Sequence, residues 1–408
     1  MIDTKEMEKL PEGWKRIKLG EIIIESNKSP FKVEDADNNG YYPFFTSGEA
    51  ILTHSDYLVD CENLFLSTGG TAYIGYYKGK AAYSADTYAI KSKIITKYLY
   101  YFLSKQVDEI TYRYFIGSGL EHLQKDFFKK DFEILFPENQ EEQEKIAEIL
   151  ETVDNTIEKT DAIIEKYKRI KQGIMQELLT KGIDENWEVR SEKTHKFKDS
   201  PLGKITEEWE VKKLGEINHI IMGQSPNSSL VNKIGNGIAF LQGNAEFTDK
   251  YPNPTNWIEK PLKIANKGNI LISVRAPIGA LNITDRQYCI GRGLASIEPY
   301  NNLTDKFYLW NFIHFHINEL IKLGQGSTFE AIGSKELFNL QISLPPLPEQ
   351  ERIASVLSQV DAVIEKETAY RDKLSRIKQG LMEDILTGKV RVTTLLENKN
   401  NQYQKEVL

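Results

Sequence analysis

Two stretches of the chain carry apolar residues at alternating intervals of three and four, which is the spacing of a helical heptad seam. They lie within residues 138–183 and 347–390, and prolines stand close to the start of each. A helix of about 40 residues is about 60 Å long. Because so narrow an apolar stripe does not stabilise an isolated helix, each helix is expected to need the other as a partner. The seams consist of Ile146, Leu150, Val153, Ile157, Ile164, Tyr167, Ile174 and Leu178, and of Ile353, Leu357, Val360, Ile364, Leu374, Leu381 and Ile385.

The two stretches are copies of one another. Gln143–Thr180 recurs as Gln350–Thr387 at a constant offset of 207, with about half of the positions identical. A second match, Trp14–Ile22 with Trp209–Ile217, has an offset of 195. The segments between these matches diverge almost completely. The chain is therefore predicted to be a tandem internal repeat in which a duplicated scaffold carries two variable domains.

The order of the repeats predicts the arrangement of the chain. Because the second variable domain follows the first helix and precedes the second, the helices are expected to run antiparallel. Short β runs, such as Leu64–Ser67 and Ile270–Val274, are each followed by a short helical segment, at Tyr98–Leu103 and Phe307–Ile317. The prediction is an α+β protein with two globular domains at opposite ends of an antiparallel two-helix coiled coil, related by pseudo-two-fold symmetry.

This arrangement divides the chain into six segments. The predicted segments are the first variable domain at 1–137, the first long helix at 138–183, a polar linker at 184–204, the second variable domain at 205–346, the second long helix at 347–390 and a frayed C-terminal tail at 391–408.

Composition and charge exclude several classes of protein. No run of 18 apolar residues exists, which argues against a membrane-spanning chain. Two cysteines, Cys61 and Cys289, cannot form a disulfide framework, and this fits a reducing cytoplasm. The net charge of −7 argues mildly against a protein that coats nucleic acid by bulk charge. By segment, the net charge is −3 for 1–137, −4 for 138–183 and zero for 184–346 and 347–408, so the acidity is confined to the first half.

No sequence motif for catalysis or metal binding is present. The chain has no phosphate-binding loop with its lysine and hydroxyl, no complete dinucleotide-binding glycine motif and no Asn-Pro-Pro-Tyr tetrapeptide. His314 and His316 lie in a helical-looking run, where a spacing of two directs their side chains apart. We therefore predict no catalytic residue and no metal ligand.

Glycine-rich loops offer candidate contacts to DNA. Gly117–Gly119 and Gly324–Thr328 stand at the same offset of 207, and bare backbone in such loops either approaches a phosphate or makes a tight turn. An arginine beside a turn can also contact a phosphate or the edge of a guanine. A single surface cation more often makes neither contact. The candidate DNA contacts are Lys78, Lys80, Arg113, Tyr114, Ser118, Gln224, Ser225, Arg275, Arg292, Gln325, Ser327 and Thr328.

Each long helix contains a glycine at the same repeat position, Gly173 and Gly380. Glycine inside a helix costs about 1 kcal/mol relative to alanine. Either the two helices cross closely there, or another protein packs against bare backbone, or the helix ends. The candidate residues for a partner interface are Arg169, Lys171, Gln172, Gly173, Arg376, Lys378, Gln379 and Gly380.

The motifs together resemble the specificity subunit of type I restriction–modification systems. The resemblance rests on the FKDSPLGKI phrase at 197–205 followed by Glu208 and Trp209, on LPPLPEQ at 344–350, and on the duplicated RIKQG(I/L)M segments. It covers essentially the whole chain. The sequence departs from the family pattern at Thr206, where proline is usual, and in the weaker run at 137–143.

The resemblance implies a non-catalytic DNA-recognition subunit. Two target recognition domains would each read one half of a split, asymmetric sequence in double-stranded DNA, while the paired helices fix the spacer. The expected partners are two methyltransferase subunits and, through them, restriction subunits. S-adenosylmethionine, ATP and magnesium would belong to those partners, with no cofactor in this chain. The alternatives are a methyltransferase or nuclease that acts alone, and a coiled-coil scaffold without DNA recognition.

Overall fold

The computed structural model describes residues 10–37, 39–300, 302–324 and 331–396. It divides into two compact units. Unit 1 comprises Met1–Asp161 with Ala369–Leu408, and unit 2 comprises Ala162–Thr368. Two helices of 39 residues, α5 and α10 in the element order below, contribute residues to both units.

Unit 1 is an α+β domain built on a six-stranded sheet in the order β2-β7-β5-β6-β3-β4, in which β3 and β6 are parallel. A separate antiparallel pair joins β1 to β10. Its elements are β1 Trp14–Lys18, α1 Leu19–Ile22, β2 Ile23–Glu25, β3 Tyr42–Phe45, β4 Ile51–His54, β5 Val59–Ser67, β6 Ile74–Tyr83, β7 Thr87–Ser92, α2 Thr96–Lys105, α3 Val107–Tyr114, β8 Phe115–Ile116, β9 His122–Leu123, α4 Lys125–Asp131, β10 Glu133–Pro137 and the first part of α5 Gln140–Leu178.

Unit 2 contains a four-stranded sheet, β14-β22-β19-β20, and a five-stranded sheet, β15-β17-β16-β21-β18, in which β16 and β21 are parallel. Its elements are β11 Phe197–Ser200, β12 Gly203–Thr206, β13 Glu210–Lys213, α6 Leu214–Ile217, β14 Asn218–Met222, β15 Val231–Asn232, β16 Ile238–Leu241, β17 Asn256–Ile258, β18 Ile264–Ala265, β19 Ile270–Ser273, β20 Leu281–Ile283, β21 Tyr288–Ile290, β22 Leu294–Pro299, α7 Lys306–Phe315, α8 Ile317–Gly324, α9 Ser334–Phe338, β23 Gln341–Leu344 and the first part of α10 Leu347–Ile385.

The predicted α+β class is confirmed, and the predicted strands and short helices lie in β5, β19, α2, α7 and α8. The run at 64–66 is apolar at successive positions because β5 lies at the centre of its sheet and is buried on both faces. The corresponding central strand of unit 2, β19, is buried at all four residues.

Within each unit, the two helical segments pack antiparallel, as the sequence predicts. In unit 1, Asp154 of α5 pairs with Lys378 of α10 at 2.6 Å, and Ile146 and Leu150 share the core with Leu381. Unit 2 contains the equivalent ion pair between the residues that correspond at the offset of 207, in which Asp361 accepts from Lys171 at 2.6 Å. The duplicated seam therefore carries a duplicated ion pair.

A buried glutamine at the start of each long helix ties it to the rest of its unit. In unit 1, the Gln143 side chain accepts from the Ile95 amide at 2.9 Å and donates to the Pro137 carbonyl at 2.8 Å. In unit 2, the Gln350 side chain accepts from the Asp305 amide at 2.8 Å and donates to the Pro345 carbonyl at 2.9 Å. These bonds satisfy backbone groups that would otherwise be buried without partners.

The predicted linker and the first residues of the predicted tail are both anchored by ion pairs. The segment 184–204, expected to be a linker, contains β11 and the buried Arg190, whose guanidinium binds Glu349. The first residues of the predicted tail are also held, since Arg391 binds both carboxylate oxygens of Glu142 at 2.8 Å. The sequence did not show this because the partner of each arginine lies far away along the chain. The rest of the tail, from 397 onward, lies outside the described residues.

Candidate nucleic-acid interface

Four strands of unit 2 end at one common edge. Met222, the last residue of β14, pairs with Ala295, and Ser273, the last residue of β19, pairs with Leu294 at the start of β22. In the second sheet, the final residues of β16 and β21 pair with each other. Because β22 begins only a few residues after β21 ends, the segments that follow all four strands lie together.

Glycines allow these segments to approach closely. The Gly291 amide donates to the Leu241 carbonyl at 2.7 Å, and the Val274 amide donates to the Gly293 carbonyl at 2.9 Å. A Cβ at Gly223 would lie 2.8 Å from the Leu294 carbonyl oxygen, and one at Gly293 would lie 2.8 Å from that of Gln242. Only glycine fits such contacts without displacing backbone.

Five polar side chains occupy this edge and form what we call the strand-edge cluster: Gln224, Ser225, Gln242, Arg275 and Arg292. All except Ser225 are exposed. Ser225 organises the group, since its hydroxyl oxygen accepts from the Gln242 amide group at 2.7 Å and from the Arg292 backbone amide at 3.3 Å. Among the residues that the structure describes, no carboxylate lies within salt-bridge distance of Arg275 or Arg292. Within this part of the chain, neither guanidinium is neutralised by an ion pair.

The structure brings together four residues proposed from the sequence, namely Gln224, Ser225, Arg275 and Arg292. Gln242 was missed. The signal that could have found it is the Leu-Gln-Gly run at the end of a buried strand, which resembles the Ile-Gly-Arg-Gly run that contains Arg292. The other three candidates in this half, Gln325, Ser327 and Thr328, lie outside the described residues.

The candidate DNA contacts in unit 1 do not form a comparable cluster at a strand edge. Tyr114 is fully buried and donates to Asp131 at 2.7 Å, so the expectation that it contacts DNA is corrected. Burial is also the main cause that raises the pKa of its hydroxyl. Arg113 is already bound at 2.6 Å by two carboxylates, those of Glu109 and Asp131. The aromatic and apolar neighbours of Tyr114 in α3 and α4 enclose it, which its position before a glycine loop did not reveal.

The remaining candidates of unit 1 lie on a strand and in a loop. Lys78 and Lys80 lie within β6 rather than at a turn, with Lys78 paired to Glu62 at 2.9 Å and Lys80 above the Tyr57 ring. Ser118 is exposed in the loop between β8 and β9. A Cβ at Gly117 would lie 3.1 Å from the Cα of Glu121, so this Gly-x-Gly segment makes a tight turn.

Unit 1 has its own strand edge of the same construction but with different chemistry. The Ser84 amide donates to the Phe45 carbonyl at 2.9 Å, as the Gly291 amide does to Leu241 in unit 2. The backbone carbonyl of Asp86 accepts from the hydroxyls of Ser47 and Thr68, the latter at 2.7 Å. The exposed Asp86 carboxylate lies at this edge, near enough to Lys125 to affect the pKa of that lysine, and it follows Ala85, the residue that corresponds to Arg292.

The helix residues proposed to bind a partner separate into two groups. Lys171 and Lys378 are occupied by the ion pairs within the helix pair, so the expectation that they face a partner is corrected. Gly173 and Gly380 lie inside α5 and α10, and a Cβ at either position would meet nothing within 4 Å. Close helix crossing and a helix end are therefore both wrong. The exposed members of the group are Arg169, Gln172, Gly173, Arg376, Gln379 and Gly380.

No group of three potential metal ligands occurs in the part of the chain that the structure describes. His314 lies near the end of α7, and a ring nitrogen of His316 lies 3.2 Å from the Glu319 carboxylate. Among the described helices, none has the length and apolar character that a membrane span requires.

A partly buried carboxylate near the strand edge gives a pH-dependent prediction. Burial raises the pKa of Glu246, and its Oε2 has no hydrogen-bond partner among the described residues. The folded state therefore disfavours the charged form, and this loss of stability grows as pH rises above about 4.5. We expect Glu246→Gln to raise the free energy of unfolding at pH 7.5 by less than about 1 kcal/mol, because solvent screens a carboxylate that is only partly buried, and we expect the gain to vanish near pH 4. Urea unfolding at both pH values measures it; an equal gain from the exposed Glu259→Gln would contradict the explanation.

Comparison with known proteins identifies relatives along most of the chain. The family model described as the type I restriction modification DNA specificity domain matches residues 11–169 and 206–376. A candidate specificity subunit of the type I restriction enzyme MjaX from Methanocaldococcus jannaschii is 44% identical over 257 residues, which cover 62% of this chain and 58% of that protein. The MjaVIII specificity subunit from the same organism is 28% identical over 421 aligned residues, which cover 95% of each chain.

Solved structures show the same fold. A chain from a structural study of complex assembly and conformational transition of the type I R-M system is 25% identical, with a TM-score of 0.57, and the match covers 94% of this chain and 100% of that one. The type I restriction–modification S subunit from M. genitalium is 16% identical, with a TM-score of 0.66, over 92% of this chain and 97% of that one.

Proposed function

Because the chain belongs to the type I restriction–modification DNA specificity family, we propose that it reads a bipartite, asymmetric DNA target, one half with each unit, for a complex in which partner subunits carry the chemistry. DNA recognition is the function of this family, which excludes a scaffold without DNA recognition. The bipartite reading, the spacer role of the helices and the partners are the proposal.

One observation carries this proposal: a duplicated scaffold presents two chemically different strand edges. The helix seam, its ion pair and its buried glutamine are repeated at an offset of 207. The strand edge of unit 2 presents Arg275 and Arg292, whereas that of unit 1 presents Asp86. Arginine matches the acceptors of guanine, and a carboxylate matches the amino group of cytosine. Different edges on one scaffold suit a target with two unlike halves.

The long helices supply the spacer and the docking sites in this proposal. Each helix exposes an Arg-Ile-x-Gln-Gly face at the same repeat position, and Ile170 and Ile377 are 38% and 42% exposed there. Two equivalent faces fit two copies of one partner, which we take to be methyltransferase subunits that bind S-adenosylmethionine and modify adenine. Restriction subunits, with ATP and magnesium, would join through them. The chain acts beside DNA and therefore in the cytoplasm.

The proposal predicts the outcome of an exchange experiment. The chain is expressed with its methyltransferase subunit in cells that lack adenine methylation, and methylated sites are mapped by single-molecule sequencing. Replacing residues 23–137 by those of a relative is expected to change one half-site and to leave the other and the spacer unchanged. Deleting one heptad, about 10 Å, from each long helix is expected to change the spacer by about three base pairs.

Two results would contradict the proposed function. An unchanged spacer after the paired heptad deletion would exclude the helices as the spacing device. Methylation or cleavage of DNA by the purified chain alone would show that the chemistry is not confined to partners. The lone chain is also expected to bind DNA weakly and with strong salt dependence, because its net charge of −7 leaves the phosphate-neutralising surface to its partners.

A further inference from the structure

We propose that Arg292 and Gln242 determine the bases read by unit 2, with Arg292 selecting guanine and Gln242 selecting adenine at the adjacent base pair. This inference rests on the proposed function. It goes further because it assigns a base class to two named side chains of the strand-edge cluster.

The backbone around Arg292 is held on both sides. Gly291 donates to Leu241 at 2.7 Å, and Gly293 donates to Gln242 at 3.3 Å. The Gly293 carbonyl in turn accepts from Val274 at 2.9 Å. A side chain that reads a base edge directly needs a backbone held in one position. The backbone of Arg292 meets this condition, because hydrogen bonds hold the residues on both sides of it. Its guanidinium is exposed, and no carboxylate among the described residues engages it.

Gln242 is oriented for a two-point contact. One hydrogen of its amide group is donated to Ser225 at 2.7 Å, which leaves the second hydrogen and the carbonyl oxygen for a ligand. Adenine offers N7 as an acceptor and its N6 amino group as a donor, which is the complementary pair. The side chain packs over Gly291, because a Cβ at that position would lie 2.9 Å from the Gln242 Oε1. Gln242 therefore adjoins Arg292, and the two side chains address neighbouring base pairs.

Arginine and lysine differ in a way that tests the assignment. The planar guanidinium binds O6 and N7 of guanine through a rigid two-point fork, whereas the lysine ammonium donates from a flexible stem and holds that geometry less well. Arg292→Lys keeps the charge that phosphate binding needs and removes the two-point fork. A role in phosphate binding alone would survive this change.

The test uses the complete complex with its methyltransferase subunits and maps methylated sites for wild type, Arg292→Lys and Gln242→Ala. Wild type is expected to require guanine next to adenine in one half-site. Arg292→Lys is expected to lower discrimination for that guanine by about 5- to 150-fold, and Gln242→Ala to do the same for the adenine. The other half-site and the spacer are expected to stay unchanged.

Arg286→Lys is the matched control, since Arg286 precedes β21 and Arg292 follows it. It is expected to keep the wild-type target. The assignment would be overturned if both strand-edge variants kept the wild-type discrimination between bases, or if discrimination fell equally in both half-sites. Either result would leave the bipartite target in place. Failure of the wild-type complex to methylate any bipartite target would instead overturn the proposed function.

A binding measurement covers the case in which a variant no longer methylates DNA. Replacing the target guanine by 7-deazaguanine removes only the N7 acceptor. We expect this duplex to bind the wild-type complex more weakly than the unmodified duplex, and the Arg292→Ala complex to bind both duplexes equally, because alanine has no donor for N7. An equal loss for the two complexes would show that Arg292 does not contact that atom.

Discussion

Replacing Glu349 by alanine is expected to lower the free energy of unfolding of unit 2 by about 3–5 kcal/mol, because a buried arginine loses its hydrogen-bonded carboxylate and Glu208, at 3.8 Å, is too far away to replace those hydrogen bonds. Glu349 and Arg190 are 1% and 6% exposed. The carboxylate accepts from Arg190, from the Trp209 indole at 3.1 Å and from the Ile183 amide at 3.0 Å. All three donors lose their acceptor together.

The equivalent carboxylate of the other repeat provides a control for this prediction. Glu142 occupies the equivalent position in unit 1 and binds Arg391, but the Arg391 side chain is 32% exposed. Water can solvate that guanidinium when the carboxylate is removed, so Glu142→Ala is expected to cost less, about 1–3 kcal/mol. Urea unfolding of the full chain gives the totals, and hydrogen exchange of peptides from β13 and from the part of α10 that precedes Ala369 assigns the loss to unit 2. Equal losses for the two variants would show that burial of the ion pair is not the cause.

Replacing Gly223 by alanine is expected to abolish reading of the half-site that unit 2 recognises and to cost about 1–3 kcal/mol of stability. The added Cβ would lie 2.8 Å from two backbone atoms, the Gly291 carbonyl carbon and the Leu294 carbonyl oxygen. Because these atoms cannot rotate away as a side chain does, the segment that contains Arg292 must move.

Gly243→Ala is the matched control, since a Cβ at Gly243 would meet nothing within 4 Å. It is expected to keep the wild-type stability and target. Thermal unfolding and methylation mapping measure both effects. A Gly223→Ala complex that methylates the wild-type target normally would show that the close approach of these segments is not required for recognition.

The sequence indicated the strand-edge cluster only in part. Arg275 and Arg292 were identifiable because arginines beside glycine turns that follow buried strands are accessible and correctly charged. Tyr114, at the end of α3, stands beside a similar glycine turn and is nevertheless buried, since phenylalanines of α4 pack against its ring. Asp86, which lies at the equivalent strand edge of unit 1, had no local signal at all. Local context shows whether a residue lies near a turn but not what packs over that turn.

What the sequence by itself determined is chiefly what repeats: two heptad seams and their antiparallel pairing. These features are periodic or duplicated, so they can be identified by comparing positions along one chain. The α+β class followed from short β runs and helical segments, and the family from a resemblance in motifs. Tertiary structure alone decided which side chains share a strand edge, that Lys171 faces Asp361 rather than a partner, and that Arg190 is buried against Glu349. Each of these contacts joins residues that are distant in sequence, and only the pairing of strands and helices brings them within hydrogen-bonding distance.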